Sequence, residues 1–252
     1  MENTDLPRRG VCAHRGETQV HPENTLAAFR KAIAMGAHQI EFDVQLTRDG
    51  HPVVMHDATV DRTTDGSGQI SDLTLAQIRE LDAGSWKAPR FRGERVPTLE
   101  EALAVMPRNI WLNVHLKAGR EVGVIAATEV QKQNRRHQAF LAAGLDGSAG
   151  ARSVLPDILI CNMEGQGGNP ATYADISLRN RCHFMQCVRT PPSPEDLTRL
   201  RRAGICLNLW PFNEPDKLAD MFAAGIAFPL TDVLAEMMAA AAQLGITPVD
   251  PE

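Results

Sequence analysis

The chain has 252 residues, 26 Lys plus Arg against 31 Asp plus Glu, a formal net charge of −5 and 43% hydrophobic residues. A chain of this length can bury a sizeable core without disulfide or metal staples, and its mild acidic balance lacks the basic face of a general nucleic-acid binder. No apolar run approaches the roughly 18 residues of a membrane span; the most apolar stretch, Leu234–Leu244, is interrupted by Glu236 and Gln243.

In chain order, Val11–His14 reads as a first strand, Pro22–Met35 as a helix closed by Gly36, and His38–Gln45 as a second strand. The rhythm then breaks between Leu46 and Pro97. Thr47-Arg48-Asp49-Gly50 signals a turn, His51–His56 a returning strand, and Thr74–Leu81 a short amphipathic piece. An insertion of that length is a functional loop or a small subdomain. Alternation resumes with helix Thr98–Met106, strand Ile110–Leu116, helix Arg120–Asn134, strand His137–Ala142, helix Asp146–Val154 and strand Asp157–Asn162. Helix Pro170–Arg179, strand Cys182–Val188 and helix Pro194–Arg202 follow, the last opened by a Ser193 cap, an N1 proline and two acids. Strand Gly204–Leu209, helix Pro215–Ala224, strand Gly225–Leu230 and helix Leu234–Leu244 complete the series. Eight strands and eight helices are the tally of an α/β TIM (β/α)8 barrel with a small insertion after strand 2. Residues 1–252 thus read as a single barrel domain with 46–97 as an inserted subdomain. An open doubly wound sheet is the alternative, and the glycine-rich fourth unit, Ala143–Pro156, fits the barrel least well.

The first ten residues carry Arg8-Arg9 but no apolar stretch, so they do not read as a secretory signal. Cys12, Cys161, Cys182, Cys187 and Cys206 make an odd count without CxxC or Cys/His ligand spacing. They sit in or beside apolar strand-like runs, as small buried hydrophobes of a reducing compartment do. A cytoplasmic location is expected.

The chemistry concentrates on a few strands. In Ile40-Glu41-Phe42-Asp43-Val44-Gln45, alternation puts Glu41, Asp43 and Gln45 on one face and the apolar residues on the other. Two carboxylates sharing an inward face need countercharges or a cation, which points to a hard-cation site; an edge strand with a solvated acidic face is the other reading. In Leu112-Asn113-Val114-His115-Leu116-Lys117, one parity is again polar, placing His115 and Lys117 toward the C-terminal rim. His115 is a third metal ligand or a hydrogen-bonded core histidine. His14-Arg15-Gly16 and His56-Asp57 end strands with imidazoles suited to proton transfer. Arg15 and Lys117 suit an anionic, phosphate-like substrate. Each alone could be a surface charge or a cap; together they favour a metal-assisted phosphate enzyme.

The sequence resembles the glycerophosphodiester phosphodiesterase family. The resemblance rests on His14-Arg15-Gly16, Pro22-Glu23-Asn24-Thr25, Glu41-Phe42-Asp43-Val44, Thr47-Arg48-Asp49-Gly50, Val53-Val54-Met55-His56-Asp57, Arg62-Thr63-Thr64, Gly66 and Val96-Pro97-Thr98-Leu99-Glu100-Glu101. It covers about residues 11–117. Beyond them only faint echoes remain, at Leu209-Trp210 and Leu230-Thr231-Asp232. The resemblance implies a TIM barrel and metal-dependent hydrolysis of a glycerophosphodiester, or a related small phosphodiester, to an alcohol and a phosphomonoester. It implies His14 and His56 as the acid/base pair, Glu41 and Asp43 as ligands of one divalent cation, Mg²⁺ or Ca²⁺, and Arg15 and Lys117 as phosphate contacts. Asn24 would hold the surrounding loop, and Trp210 is either a wall of the alcohol pocket or a core tryptophan. The implied partner is a small-molecule phosphodiester, with no nucleic acid and no integral membrane segment; oligomeric state is left open.

Two departures stand out. His115 occupies the position where the family places a third, glutamate ligand, and imidazole favours Mn²⁺, Zn²⁺ or other transition ions. Glu164 is a candidate for the missing oxygen, or else a solvent-facing loop acid. Asn162–Asn169 forms a polar, glycine-rich loop that either shapes the leaving-alcohol pocket or is filler; it lacks the phosphate-cradling pattern. The rival activities are a phospholipase D-like or lyase branch, a sugar or opine phosphodiesterase, and a non-catalytic phosphoester-binding protein.

Overall fold

The computed structural model describes residues 6–251. Its strands are β1 (Cys12–His14), β2 (Gln39–Leu46), β3 (Pro52–Val54), β4 (Trp111–Leu116), β5 (Ala139–Ala143), β6 (Leu159–Asn162), β7 (Phe184–Val188), β8 (Cys206–Trp210) and β9 (Phe228–Thr231). Its α-helices are α1 (Leu26–Ala34), α2 (Leu75–Glu80), α3 (Leu99–Val105), α4 (Arg120–Lys132), α5 (Leu145–Val154), α6 (Pro170–Arg179), α7 (Pro194–Arg202), α8 (Leu218–Ala223) and α9 (Leu234–Gln243). All strands but β3 pair in parallel with their neighbours in chain order, and the parallel β1–β9 pairing closes the ring. This is the eight-stranded TIM barrel expected from the sequence, and the open-sheet alternative is excluded by that closure. Among the described residues, no helix is long and apolar enough to cross a membrane.

Most predicted elements lie within two residues of the observed ones; the last strand starts three residues later than expected, at Phe228, and two helix starts move for a local reason. The first helix starts at Leu26 rather than Pro22, because Asn24 takes a φ of 57° and Thr25 caps the helix by accepting from the Ala28 N–H. The helix expected from Pro215 divides into a 3₁₀ turn, Pro215–Lys217, and α8.

The two faces of the barrel wall divide as alternation requires. Ile40, Phe42, Val44, Leu112, Val114 and Leu116 point outward into the main core, which the helices cover. Inside, aromatic rings plug the N-terminal end: Phe140 stacks on Phe184 at 3.9 Å, and Trp111 meets Phe184 edge-on at 5.2 Å. One layer nearer the C-terminal end, Asn113 donates to Gln186 (3.1 Å) and Asn208 donates to Gln39 (3.0 Å). Glu41, Asp43 and His115 follow on the same inward parity. Because β2 lies between β1 and β4, its acidic face is interior, which overturns the edge-strand reading.

The inserted segment is fastened to the barrel at several points. β3 pairs antiparallel with the end of β2. Val53, Met55, Val60, Ile70, Ile78, Ala83 and Val96 form a small core beneath α2, whose start carries a Thr74/Gln77 capping box. Arg79 on α2 grips Glu101 on α3 through two bonds of 2.7 and 2.9 Å. The glycine-rich fourth unit is a regular helix, α5, pressed against α4: a Cβ on Gly150 would lie 2.1 Å from the Arg120 carbonyl oxygen. The five cysteines are free, four of them buried, and burial pushes the thiols of Cys187 and Cys206 up to about 12.

Candidate active site

The register of the barrel assembles the site. β1 and β2 pair His14 with Glu41, and β2 and β4 pair Asp43 with His115. Glu41 and Asp43 are almost wholly buried, at 2% and 1% exposure. The His115 Nδ1 lies 3.4 Å from the Glu41 Oε1 and 3.3 Å from the Asp43 Oδ1. Lys117 closes the group, its Nζ 2.9 Å from the Asp43 Oδ1 and 3.1 Å from the His115 Nδ1.

The loop after β1 supplies the rest. Arg15 sits in the left-handed region (φ 58°), where its N–H donates to both the backbone oxygen (2.9 Å) and the Oε2 (3.2 Å) of Glu41. A non-glycine residue there carries local strain of about 1 kcal/mol or more. Gly16 follows at φ 89°, and a Cβ on it would come within 2.8 Å of the Ala28 backbone. The Arg15 guanidinium reaches Asp43 (Nε to Oδ2, 3.2 Å) and Glu23 (2.8 Å). Asn24 donates to the Asp43 Oδ2 (2.8 Å) and accepts from the Asp43 N–H (3.3 Å), so it holds the carboxylate and the loop together.

These neighbours set the charges. Burial pushes the Asp43 carboxyl up, but the His115 hydrogen bond and the charges of Lys117, His115 and Arg15 outweigh it and hold Asp43 well below the usual range. Burial likewise pushes His115 down, and its bonds to Asp43 and Glu41 reverse that, leaving its pKa raised. Glu41, Asp43 and His115 each offer one donor atom, all within 4.8 Å of one another. The Asp43 Oδ1 is buried and accepts no hydrogen bond of good geometry, although Lys117 lies beside it. A buried carboxylate oxygen that has cationic neighbours but no well-aligned hydrogen bond, and that faces a second carboxylate and an imidazole, is one a divalent cation would satisfy, so the donor set fits such an ion.

His14 is positioned from behind. Its Nδ1–H donates to Asp232, just past β9 (2.7 Å), its Nε2 lies 4.0 Å from the Glu41 Oε2, and the Trp210 ring packs 5.5 Å away. Burial works to raise the Asp232 carboxyl, but the His14 hydrogen bond and charge lower it on balance. His56 follows β3, its Nδ1–H bonded to Asp57 (2.7 Å). From Asp57 an unbroken set of ion pairs runs through Arg62 and Glu23 to Arg15. The hydrogen bonds of Arg62, ahead of those of His56, hold Asp57 well below the ordinary carboxylate value. Gln45, on the same parity as Glu41 and Asp43, donates to the backbone oxygens of His56 (3.0 Å) and Asp57 (2.7 Å). A cleft of about 390 Å³ opens beside this group, with His14, Arg15, Glu23 and Asp232 among its lining residues.

His14, Arg15, Glu41, Asp43, His115 and Lys117 are therefore brought into one cluster, with His56 joined through the ion pairs and Trp210 packed on His14. Glu164 is elsewhere: its carboxylate accepts from the Leu145 N–H (3.3 Å) at the start of α5, so it supplies no oxygen to the cluster. The loop 162–169 lines a different cavity of about 400 Å³, with Tyr173, Met185 and Arg189, rather than the cleft at His14. Asp232, Glu23, Arg62 and Lys87, which also lines the cleft, are site neighbours to which sequence patterns gave no role. For Asp232, its place just after a barrel strand's C-terminal end was the available signal.

Fold and site together define a (β/α)8-barrel protein with an acidic, imidazole-bearing centre at the C-terminal rim, beside an open cleft. The chain belongs to the glycerophosphoryl diester phosphodiesterase family, whose family model matches residues 14–236. The glycerophosphodiester phosphodiesterase of Caldanaerobacter subterraneus subsp. tengcongensis is 51% identical over 110 residues, covering 43% of this chain and 45% of that protein. The match thus spans less than half the length of such curated relatives. A phosphodiesterase from Oleispira antarctica, solved in complex with the product sn-glycerol-3-phosphate, superposes with a TM-score of 0.82 at 28% identity, over 94% of this chain and 97% of its own. A glycerophosphodiester phosphodiesterase from Agrobacterium tumefaciens shares the fold, with a TM-score of 0.79 at 24% identity over 92% of this chain and 99% of its own.

Proposed function

We propose that this chain is a metal-dependent phosphodiesterase that hydrolyses a glycerophosphodiester, or a related small phosphodiester, to an alcohol and a phosphomonoester by histidine acid/base catalysis. The observation that carries the reading is the Glu41–Asp43–His115 donor set, its buried Asp43 oxygen without a well-aligned hydrogen bond, lying beside a carboxylate-oriented His14. Membership of the family and the product seen in the Oleispira antarctica relative support the substrate class. A divalent cation held by Glu41, Asp43 and His115 would supply Lewis-acid neutralisation of phosphoryl charge.

The chain's own groups do the rest. Arg15 and Lys117 place positive charge where the diester's charge grows in the transition state. One imidazole takes a proton from the attacking water as its oxygen bonds to phosphorus, and the other returns a proton to the alkoxide as the second P–O bond breaks. Because Asp232 binds the Nδ1–H of His14 and Asp57 that of His56, each ring keeps its Nε2 for the reactants.

The test is hydrolysis of glycerophosphoglycerol and of bis(p-nitrophenyl) phosphate before and after chelation, with metal content measured in parallel. Chelation should abolish turnover and an added divalent ion restore it. His14→Ala and His56→Ala should each lose roughly 10²–10⁴-fold in kcat with metal content intact, whereas Glu41→Gln should weaken metal retention. A protein that retains its metal yet turns over no diester would be a binding protein instead.

A further inference from the structure

We infer that Lys87 forms an anion subsite for the alcohol portion of the substrate, selecting diesters whose alcohol carries a further anionic group; this rests on the phosphodiesterase reading above. The cations in and around the cleft are not equally free. Arg15 is committed to Glu23 and Asp43, and Lys117 to Asp43. Arg62 is held between Glu23 and Asp57, and Asp232 has His14 as its partner. Lys87 alone among the cations lining the cleft has no carboxylate partner among the described residues. Its Nζ donates to the Thr18 backbone oxygen (2.7 Å) and lies 5.9 Å from the Trp86 ring centroid. An ammonium has three donors, so two remain for a ligand.

The surroundings point the same way. Thr18 and Gln19 share the cleft wall with Lys87, whereas Asp43, His115 and Lys117 do not line it. His14 and Arg15 line it too, so the reacting phosphate belongs where they meet those inner groups, which leaves Lys87 to the part of the substrate beyond it. A volume of about 390 Å³ accommodates a glycerophosphodiester. Lys87 comes from the inserted segment, so that segment contributes substrate choice as well as cover.

The experiment compares glycerophosphoglycerol with its terminally phosphorylated counterpart, on the unmodified protein, Lys87→Met and Lys87→Arg. Lys87→Met should raise KM for the phosphorylated diester about fivefold more than for the diester whose alcohol is uncharged, as expected for a half-exposed ion pair, while Lys87→Arg keeps the discrimination. Calorimetric binding of the same pair to His14→Ala protein, with and without Lys87→Met, makes the comparison without turnover. An equal loss on both diesters would assign Lys87 to the reacting phosphate, and no change would remove it from the site; either overturns the inference. Failure of the unmodified protein to turn over either diester would instead refute the phosphodiesterase reading, and the binding comparison would still decide the role of Lys87.

Discussion

Asp43 and His115 hold opposite charge through each other, and any ion bound there must compete with that pairing. The raised pKa of His115 comes from two carboxylates on its Nδ1. In the metal-free protein that interaction stabilises the fold fully below the ordinary imidazole value and is lost as pH climbs through the raised one. A metal takes the same lone pair, so binding below the raised value must expel a proton, and apparent affinity must tighten as pH rises through it. Calorimetry across the ordinary imidazole range, roughly pH 5 to 8, and above it should show proton release on Mn²⁺ binding that falls as pH rises. His115→Glu should remove that release near neutrality and move preference toward Mg²⁺ or Ca²⁺. Unchanged proton release and metal preference in His115→Glu would show that His115 is no ligand. The inward parity of Glu41, Asp43 and His115 was legible because strand alternation is a local rule. The Arg15–Glu23–Arg62–Asp57 connections and the Asp232 support of His14 were not, since they join positions up to 218 residues apart.

At the scale of elements, the units easiest to read were those whose ends carry their own signals. α6 and α7 run as the Pro170 and Pro194 starts predict, each with an Asn or Ser cap before the proline. The fourth unit was hardest, because Gly144, Gly147 and Gly150 in α5 and its lead-in argue for a loop when taken alone. Their reason is tertiary: Gly123 on α4 and Gly150 on α5 let the two backbones approach, and a Cβ at either would sit 2.1 Å from a carbonyl oxygen of the other segment. Two effects of Gly150→Ala therefore oppose each other. Helix propensity favours alanine by about 1 kcal/mol, while overpacking against rigid backbone costs about 1–3 kcal/mol. Backbone cannot swing aside as a side chain can, so the clash should win. Urea denaturation should show a net loss of up to about 2 kcal/mol; a gain near the propensity value would mean that the α4–α5 seam is loose.

Over the whole molecule, we propose that residues 46–97 and the barrel fold together as one unit. The insertion's core of seven buried residues is too small to stand alone. Its β3 is hydrogen-bonded to β2, the strand that carries both acids of the site, and Val54 of β3 belongs to the barrel's own core. Arg79 and Lys87 add ties to α3 and to the loop after β1. Unfolding of the insertion would thus expose a flank of β2, carry His56 and Arg62 away from the site and leave Gln45 and Glu23 without these partners. Thermal unfolding should be a single transition in which tryptophan fluorescence and far-ultraviolet circular dichroism coincide. Ile78→Ala, a truncation deep in the insertion's core, should cost about 2–5 kcal/mol. At about 2–4 °C per kcal/mol for a chain of this size, the shared midpoint should fall by roughly 5–20 °C. Two separated transitions, or an Ile78→Ala protein whose barrel melts unchanged, would show that the insertion is an independent subdomain whose contacts with β2 contribute little to the stability of the site.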